Sequence, residues 1–595
     1  MSNLLPQAVA AHQSGHFAEA EKLYRAVLQS DPRQADAHAL LGLVLGAKGE
    51  HAAAIASVEK AVSLDPKSPL FRFHHGMVLM NAQKLPEAIA AFQLAIKIKP
   101  AFAEAYYNCA NALRANNQWV EAIDGYRATL ALQPKNAEAH NNLALSLVHE
   151  KKYDEALAAA KKAVEVAPTY DEGWRTLCNI AEQAKDYALA LQAGEQCVKL
   201  MPDSHFSWFG YGVALNRVDR HEDAIEAYKR ALTLKPDRVD IWDNLGQTYQ
   251  SLNRLDEAEA IFRKTVDVAG QTISDEATRA VAEEEYGNRH WHLALMELLR
   301  GNLKSGFARY RSRFKDVGGL KRPNFSRPLW KGEDINGKTI LVTDEQGFGD
   351  TLMLCRYLPL MQQRGAKIIF SVHKVLEPLF RDWRGKDTLI THGTGTPPYD
   401  YYASVFDLPH LFGTTLDNIP ADVPYLPVLQ PDDATRIPDD GRKKIGVVWG
   451  GSPAHSNDAK RSIPLKLFAQ LFDESRLHFF SLNRDMKSGD TELLPTLPVT
   501  DLAPRLKDFA DGARLIGQMD LIITCDTATA HLAGGLGIPT WVLLPFAPDW
   551  RWLTDRSDNP WYPATRLFRQ PKSGDWTSVI AEVRDALNSL IQNIK

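Results

Sequence analysis

Residues 521–545 read LIITCDTATAHLAGGLGIPTWVLLP, and this stretch predicts the fold of the C-terminal part of the chain. Its two ends are apolar runs with the length and composition of buried strands. The middle predicts a sharp turn at Asp526 and Thr527, followed by a short helix that carries His531. Such a unit brings an acid and a hydroxyl to the carboxyl edge of a parallel sheet, beside a helix N-terminus that favours an anion. A nucleotide phosphate suits that place.

Asp526 also has a simpler interpretation. Many doubly wound domains end a strand with small polar residues, and Asp526 could serve only as the N-cap of the next helix. The remaining sequence is needed to distinguish a ligand-binding role of Asp526 from a role as N-cap.

Length and composition indicate an ordinary soluble protein of two or more domains. The chain has 595 residues, of which 45% are hydrophobic and 24% charged, with a formal net charge of −4. Basic residues are dispersed, so we expect no nucleic-acid partner. The N-terminus has no signal-like apolar run, and polar residues interrupt residues 521–545. We therefore expect a cytoplasmic protein with no membrane span.

The cysteines support the same compartment. None of them has CxxC spacing, and all lie in apolar patterns that predict reduced core residues. They are Cys109, Cys178, Cys197, Cys355 and Cys525.

The first 270 residues repeat with a period of 34. An alanine column holds Ala20, Ala54, Ala88, Ala122, Ala156, Ala190, Ala224 and Ala258. A proline column holds Pro32, Pro66, Pro100, Pro134, Pro168, Pro202 and Pro236. A small-residue column holds Gly42, Gly76, Ala110, Ala144, Cys178, Gly212 and Gly246. A mostly large column holds Tyr24, Val58, Phe92, Tyr126, Tyr228 and Phe262.

These columns predict paired antiparallel helices. Small residues allow close approach of the helices, large ones are expected to fill the gap to the next pair, and proline ends the second helix. The pattern resembles the tetratricopeptide (TPR) family, with eight repeats over residues 1–270 that stack into an α-solenoid.

The first helix of each repeat is expected to face a concave groove that binds a client protein. Asn108, Asn142 and Asn244 occupy the sixth place of their repeats, where an amide can both donate to and accept from a peptide backbone. This row resembles the asparagine ladder of O-linked GlcNAc transferase. The alternative is surface asparagines with no partner, because other repeats have different residues at this place: Leu40, His74, Thr176 and Gly210.

After residue 270 the periodicity changes twice. Residues 271–337 predict a degenerate capping repeat, within 287–313, and a linker. Beyond them, strands such as TILVTD, KIIFSV, IGVVWGG and HFFSLN alternate with helical segments, as in a parallel sheet. We predict two Rossmann-like α/β halves, 338–430 and 443–595, with a ligand cleft between them.

Four stretches make this part resemble GT-B glycosyltransferases of the heptosyltransferase-like group, in the form that bacteria fuse behind TPR arrays. They are GFGDTLMLCRYLP at 347–359, GVVWGGSPAHSNDAKRSIPL at 446–465, the run at 501–539, and PFAPDWRWL at 545–553. The resemblance implies an acceptor-side first half, a donor-side second half, and transfer from a nucleotide sugar with inversion of configuration.

The resemblance also implies residue roles. Asp350 matches the general base toward the acceptor hydroxyl, although it could be only the N-cap of the following helix. Lys460 and Arg461, with Ser462, match the basic pair that neutralises the departing phosphate. An aromatic residue is usual where this chain has Ser462, and the departure leaves the donor undetermined.

The donor side is completed by two further groups. Asp526, Thr527 and His531 match an acid, a hydroxyl and an imidazole that bind the donor, with the backbone at Thr527 facing the phosphates. Gly450 and Gly451 would let the backbone approach the donor closely. The sequence contains no Asp-x-Asp pair, so we expect transfer without a metal ion and with no cofactor beyond the nucleotide-sugar substrate.

Together the parts predict a protein O-glycosyltransferase that modifies Ser or Thr of a client held by the TPR groove. The layout resembles TPR-bearing flagellin glycosyltransferases, which implies flagellin as the client and a CMP-nonulosonic acid as the donor. Three alternatives remain: a heptosyltransferase-like glycan or lipopolysaccharide transferase, a catalytically degenerate TPR scaffold, and an adaptor whose sugar-nucleotide fold binds a regulatory ligand.

Overall fold

The computed structural model describes residues 4–272, 290–313, 325–345, 347–453, 457–472, 476–487 and 489–592. The chain forms two compact units, Met1–Pro236 and Asp237–Lys595. The first unit is entirely helical where it is described, and the second joins helices to two parallel sheets.

The repeat region consists of eight helix pairs. Their bounds are α1 Leu4–Gln13, α2 Phe17–Ser30, α3 Ala35–Ala47, α4 His51–Leu64, α5 Pro69–Asn81, α6 Leu85–Ile98, α7 Ala103–Ala115, α8 Trp119–Leu132, α9 Ala137–His149, α10 Tyr153–Val166, α11 Asp171–Gln183, α12 Tyr187–Leu200, α13 His205–Arg217, α14 His221–Leu234, α15 Val239–Ser251 and α16 Leu255–Thr272. From α3 to α14 the lengths alternate strictly between 13 and 14 residues, as a 34-residue repeat requires. The predicted helical array is confirmed, and its last pair, α15 and α16, belongs to the second unit.

The small and large columns meet inside each repeat. A Cβ built on Gly76 would lie 2.5 Å from the Phe92 ring, and one on Gly212 would lie 2.6 Å from the Tyr228 ring. The large side chain therefore packs onto the glycine of its own helix pair. This corrects the expectation that it mainly fills the gap to the next pair. The alanine column is completely buried, with 0% exposure at all eight positions.

A further column with period 34 lies between the two helices of each pair. Every residue in it has a positive φ, which reverses the chain after the first helix. Its members are Gly15, Gly49, Gln83, Asn117, Lys151, Lys185, Asp219 and Asn253. Only two are glycine, so the other six hold a conformation that L residues adopt at a cost.

The loops between repeats are closed by a recurring side-chain hydrogen bond. The indole N–H of Trp174 donates to the carbonyl of Pro168 over 2.8 Å, and that of Trp208 donates to Pro202 over 2.7 Å. His38 and His140 bond the equivalent proline carbonyls through Nε2. The proline that ends one repeat is thus linked to the first helix of the next.

In the second unit, a helical pair follows α16. Its first helix covers residues 290–299 and its second is Leu303–Tyr310. His292 stacks on Phe262 of α16 with ring centroids 5.2 Å apart, and Arg300 pairs with Glu259 over 3.2 Å. A helical pair is therefore present within 290–313, where the sequence predicted a capping repeat, while residues 273–289 and 314–324 lie outside the described residues.

The first sheet is parallel. Its strands are β1 Thr339–Thr343, β2 Lys367–Val372, β3 Thr388–Thr391 and β4 Tyr401–Ser404, in the order β3-β2-β1-β4. Its α-helices are Phe348–Leu354, Leu358–Gln363, Glu377–Phe380 and Leu408–Leu411. The predicted amphipathic helix after β1 is interrupted by a 3₁₀ turn at Cys355–Tyr357, and Pro359, which has no N–H to extend the preceding helix, lies in the first turn of the next one.

The second sheet is also parallel and has six strands. They are β5 Lys443–Val448, β6 Leu477–Ser481, β7 Val499–Asp501, β8 Leu521–Cys525, β9 Thr540–Leu544 and β10 Thr565–Arg569, in the order β10-β9-β8-β5-β6-β7. Its α-helices are Asp458–Arg461, Leu465–Phe468, Asp490–Leu493, Phe509–Ile516, Ala528–Gly535 and Trp576–Gln592. This is the doubly wound order, in which strands leave the first one in both directions and open a crevice between β5 and β8.

The prediction from residues 521–545 is confirmed as local structure. β8, the helix Ala528–Gly535 and β9 follow one another as expected. All five cysteines are buried and unbridged. Among the described residues, no helix is both long and apolar enough to cross a membrane.

Candidate functional site

A cavity of about 720 Å³ opens at the carboxyl ends of both sheets. The first sheet contributes residues 347–350, which follow β1. The second contributes the turns after β5 and β8 and the segment 549–551, which follows β9. Most of the predicted site residues, which extend from position 350 to position 531 in the sequence, therefore surround one space.

The turn after β5 is held by two buried polar side chains. Asn483 accepts from the backbone N–H of Gly450 over 2.9 Å, and Ser462 accepts from that of Gly451 over 3.2 Å. Ser462 in turn donates to Asp458 over 2.7 Å. A Cβ on Gly451 would lie 2.6 Å from the Arg461 guanidinium, so a larger residue here would displace that side chain from its place in the cavity lining. Ser462 thus shapes the glycine turn and is itself buried.

The predicted basic pair separates in the structure. Arg461 lines the cavity and donates to the backbone carbonyl of Asp526 over 3.0 Å, which ties the turns after β5 and β8 together. Lys460 is exposed and is not among the described residues that line the cavity. Neighbouring residues at the end of a short helix point in different directions, and only one can face the crevice.

Asp526 lies at the carboxyl end of β8 and is not the N-cap of the next helix. That position is taken by Thr527, whose side chain makes no capping bond and instead contacts the Thr524 hydroxyl over 3.1 Å. Burial, reinforced by the neighbouring Asp549 carboxylate, raises the pKa of Asp526 to about 6. A carboxylate kept here at neutral pH costs stability, which is typical of a group retained for function.

Asp350 is bound to an arginine from the other sheet. The helix Phe348–Leu354 begins after Gly347, so Asp350 lies in its first turn and is not its N-cap. Its carboxylate forms an ion pair with Arg551, whose guanidinium also pairs with Asp549 over 2.7 Å. Burial is the largest influence on Asp350 and raises its pKa despite the arginine. The three side chains link the two sheets across the cavity.

His531 is a neutral, buried residue in the floor of the cavity. Its Nδ1 lies 2.8 Å from the Tyr562 hydroxyl, and its ring stacks on Trp552 with centroids 5.3 Å apart. Burial lowers its pKa well below the usual value, and nearby Arg551 lowers it further. Gly349 packs on the ring, where a Cβ would lie 2.6 Å away. His531 can therefore offer a hydrogen bond but not a positive charge.

The three predicted asparagines of the repeat region use their amide groups internally. Asn108 donates to the carbonyl of Glu104 and Asn244 to that of Asp240, each over 2.8 Å. Asn142 donates to the Tyr107 hydroxyl over 3.1 Å and to the Asn111 side chain over 3.2 Å. The bonds at Asn108 and Asn244 use one of the two amide N–H groups each, whereas those at Asn142 use both, so a client that binds the Asn142 amide N–H groups would have to replace existing bonds.

Four polar residues of the site were not singled out from the sequence. Asn483 and Asp458 support the glycine turn, while Asp549 and Arg551 bind or face the two predicted acids. The last two lie in the stretch 545–553, where charged residues alternate with tryptophans directly after a buried strand. This alternation of charged residues and tryptophans could have identified Asp549 and Arg551 from the sequence.

TPR models match several parts of the chain. Models described as tetratricopeptide or TPR repeat cover residues 5–69, 76–116, 107–171, 219–253 and 243–276. All of these segments lie within or directly beside the helix pairs α1–α16. The N-terminal part of the chain is thus a TPR array, a class of helical scaffold that presents a surface for protein binding.

Among curated proteins, the chain is similar to Protein FlbA of Caulobacter vibrioides. The two are 27% identical over 338 residues, which make up 50% of this chain and 55% of FlbA. The chain thus spans about half the length of this relative.

Two solved structures show partial likeness. MamA is 28% identical, with 27% of this chain and 93% of MamA covered and a TM-score of 0.26. YrrB, described as a TPR protein with an unusual peptide-binding site, is 20% identical, with 31% of this chain and 95% of YrrB covered and a TM-score of 0.29.

Proposed function

We propose that this chain is a protein O-glycosyltransferase with a GT-B type C-terminal part and a client-binding TPR array. The observation that supports it most is the cavity between the carboxyl ends of the two parallel sheets. One sheet presents Asp350 there, and the other presents Arg461 together with the turn that carries Asp526. A crevice at this edge is where open α/β sheets bind nucleotides.

The proposed reaction uses these groups in one displacement. The hydroxyl oxygen of a client Ser or Thr attacks the anomeric carbon of the donor sugar, and the bond from that carbon to the phosphate oxygen breaks. Asp350 takes the hydroxyl proton, and the nucleotide leaves with the bonding electron pair. Arg461 and the backbone N–H groups at Thr527 and Ala528 balance the charge that develops on the phosphate.

Two features support Asp350 as the base. Burial raises the pKa of its carboxyl group, so it binds a proton more readily than an exposed aspartate. Arg551 holds the carboxylate in place from the opposite sheet. A base of higher pKa with a restricted orientation suits removal of a hydroxyl proton.

The roles of the remaining donor-side groups follow from their surroundings. Gly450 and Gly451 bring backbone to the cavity wall, and Asp526 can accept a hydrogen bond from a sugar or ribose hydroxyl. Ser462 holds the glycine turn, and neutral His531 offers a hydrogen bond without charge. Lys460 would contribute only as a cation near the entrance.

The client and donor are proposed from the layout of the chain. A TPR array on the same chain raises the effective concentration of a bound client near the transferase. We take flagellin as the first client to test, a CMP-nonulosonic acid as the first donor, and the bacterial cytoplasm as the compartment. Asn108 and Asn244 would contact the client through their second amide N–H and carbonyl oxygen, and Asn142 after exchanging its present partners.

The deciding experiment is intact-mass spectrometry of flagellin from cells that carry wild-type chain, Asp350→Ala or Asp526→Ala. We expect a defined sugar mass with wild type and its loss with both variants. Asp433→Ala, at an exposed carboxylate outside the cavity lining, is the matched control and should retain the mass. Isothermal titration of CMP, UDP and GDP against purified chain then identifies the nucleotide.

The TPR matches favour one alternative, a protein-interaction scaffold without transferase activity. A chain that binds none of the three nucleotides and leaves every client mass unchanged would support that alternative. Sugar found on a lipid or glycan instead of protein would favour the heptosyltransferase-like alternative.

Metal independence is tested on the same assay. We expect transfer to continue in excess EDTA, because Arg461 and backbone N–H groups stand where a metal ion would otherwise meet the phosphate. Loss of transfer with EDTA and its recovery with Mg²⁺ would contradict this expectation.

A further inference from the structure

One wall of the cavity comes from outside both sheets. Trp291, Leu295 and Tyr310 line it, and all three belong to the helical pair that follows the TPR array. This pair was predicted only to cap the array. It also forms part of the cavity wall and contacts both sheets.

The helical pair is anchored to the first sheet through Arg313. This guanidinium is 0% exposed and bonds both oxygens of Glu345, over 2.6 and 2.7 Å, and Asp407 over 3.2 Å. Glu345 follows β1 and Asp407 follows β4. The order β3-β2-β1-β4 places the crevice of this sheet between those two strands, and Arg313 fills it.

The same pair is also anchored to the second sheet. The ring of Phe307 is fully buried and meets Trp550 edge-on at 5.6 Å and Trp561 edge-on at 6.3 Å. Edge-to-face aromatic contacts of this kind add to the stabilisation from buried area. The helix Leu303–Tyr310 is thus held from both sides, which gives the wall a definite position.

The wall stands beside the proposed base. Trp291 packs on Tyr310 with ring centroids 4.6 Å apart, and Tyr310 stacks on Phe406 at 5.1 Å. The charges of Asp350 and Arg551 both act on the Tyr310 hydroxyl, and burial raises its pKa. Trp291 is half-buried and is among the residues that line the cavity.

We propose that Trp291 is an acceptor-binding residue that packs against the polypeptide segment carrying the acceptor hydroxyl. This rests on the proposed function, since Asp350 must be the base that meets that hydroxyl. The donor-binding groups belong to the second sheet, whereas Trp291 joins the Asp350 side of the cavity. A large, rigid indole can pack on an extended peptide at small entropic cost and without reading a single side chain.

The test compares full-length Trp291→Ala, Trp291→Phe and Arg300→Ala. Arg300 lies next to the same helix, pairs with Glu259, and is not among the described cavity-lining residues, so it is the matched control. Two quantities are measured: the rate at which flagellin gains sugar in cells, by intact mass, and the Kd for CMP, UDP and GDP, by titration.

We expect Trp291→Ala to slow flagellin modification at least tenfold while the nucleotide Kd stays within twofold of wild type. Trp291→Phe should recover most of the rate, and Arg300→Ala should match wild type. Equal loss of nucleotide binding in Trp291→Ala would assign the wall to the donor and overturn the inference. An unchanged rate in Trp291→Ala overturns the inference alone, whereas a wild type that modifies no protein overturns the proposed function and the inference with it.

Discussion

Asp526 is a buried carboxylate whose raised pKa makes the stability of the folded chain depend on pH. Its pKa is raised to about 6 by burial and by Asp549. Between roughly pH 4 and 6 the folded chain therefore holds a proton that the unfolded chain has released. Wild-type stability gains from this group as the pH falls through that window, and above it the buried carboxylate is a cost.

Asp526→Asn should remove that cost. We expect the variant to be more stable than wild type by on the order of 2 kcal/mol at pH 8, with the difference shrinking toward pH 4. Thermal denaturation at both pH values measures it, and exposed Asp433→Asn is the control. An equal difference in stability between Asp526→Asn and wild type at the two pH values would contradict the raised pKa of Asp526.

Gly349 tests the contact between the two sheets at the cavity floor. A Cβ there would overlap the His531 ring, so Gly349→Ala should destabilise the second unit by about 1–3 kcal/mol and weaken nucleotide binding. Gly395→Ala adds a Cβ that meets nothing within 4 Å and should change stability by less than about 0.5 kcal/mol. Equal melting of the two variants would argue against close packing at Gly349.

Single residues of the site were predictable only where they stood in a recognisable stretch. Asp350, Arg461 and Asp526 were found in this way, and the structure places all three at the cavity. Arg551 also stood in a quoted stretch, 545–553, but its role was missed because that role depends on a pairing with Asp350 across 201 positions. Trp291 was missed because a helical tryptophan is indistinguishable in sequence from a core residue.

Among the elements, the repeats were the most predictable because every position is sampled eight times. The alanine, proline and small-residue columns gave the helix pairs directly. The positive-φ column escaped notice, since its residues share a backbone conformation and not a chemical type. Short strands such as β3, β4 and β7 were missed as well, because three or four residues carry too little periodicity to stand out.

That column makes a direct stability prediction. Lys185 has a φ of 62°, and Lys185→Gly should stabilise the first unit by up to about 1 kcal/mol because glycine adopts this conformation without strain. Gly49→Ala, at the equivalent position of another repeat, should destabilise it by about 1 kcal/mol. Circular dichroism during thermal denaturation compares both, and a loss of stability in Lys185→Gly would contradict the prediction.

At the level of the entire chain, Arg313 joins the helical pair to the first sheet. Arg313→Met would leave Glu345 and Asp407 buried without a cation, so we expect the second unit to lose about 3–5 kcal/mol. Arg381→Met removes a cation from an exposed pair with Glu377 and should have no measurable effect. The two variants are compared by denaturation of the full-length chain. Equal stability of both would mean that the anchor contributes nothing.

The sequence predicted the division into repeats and α/β halves from two changes of periodicity, but it placed the helical pair with the repeats. Its own pattern is helical, and only contacts distant in sequence, such as Arg313 with Asp407, assign it to the sheets. The helical pair in turn contacts α16 through His292 and Arg300, and the last repeat pair, α15 and α16, falls in the second unit, which begins at Asp237.

The anchored helical pair also determines where this protein can be cut and recombined. An engineer who replaces the array to change the protein that it binds would naturally join the new module at the end of the repeats. A junction inside 290–313 would remove Trp291 or Arg313 and open the cavity wall. Chimeras should instead exchange the array up to Pro236 and keep everything from Asp237 onward.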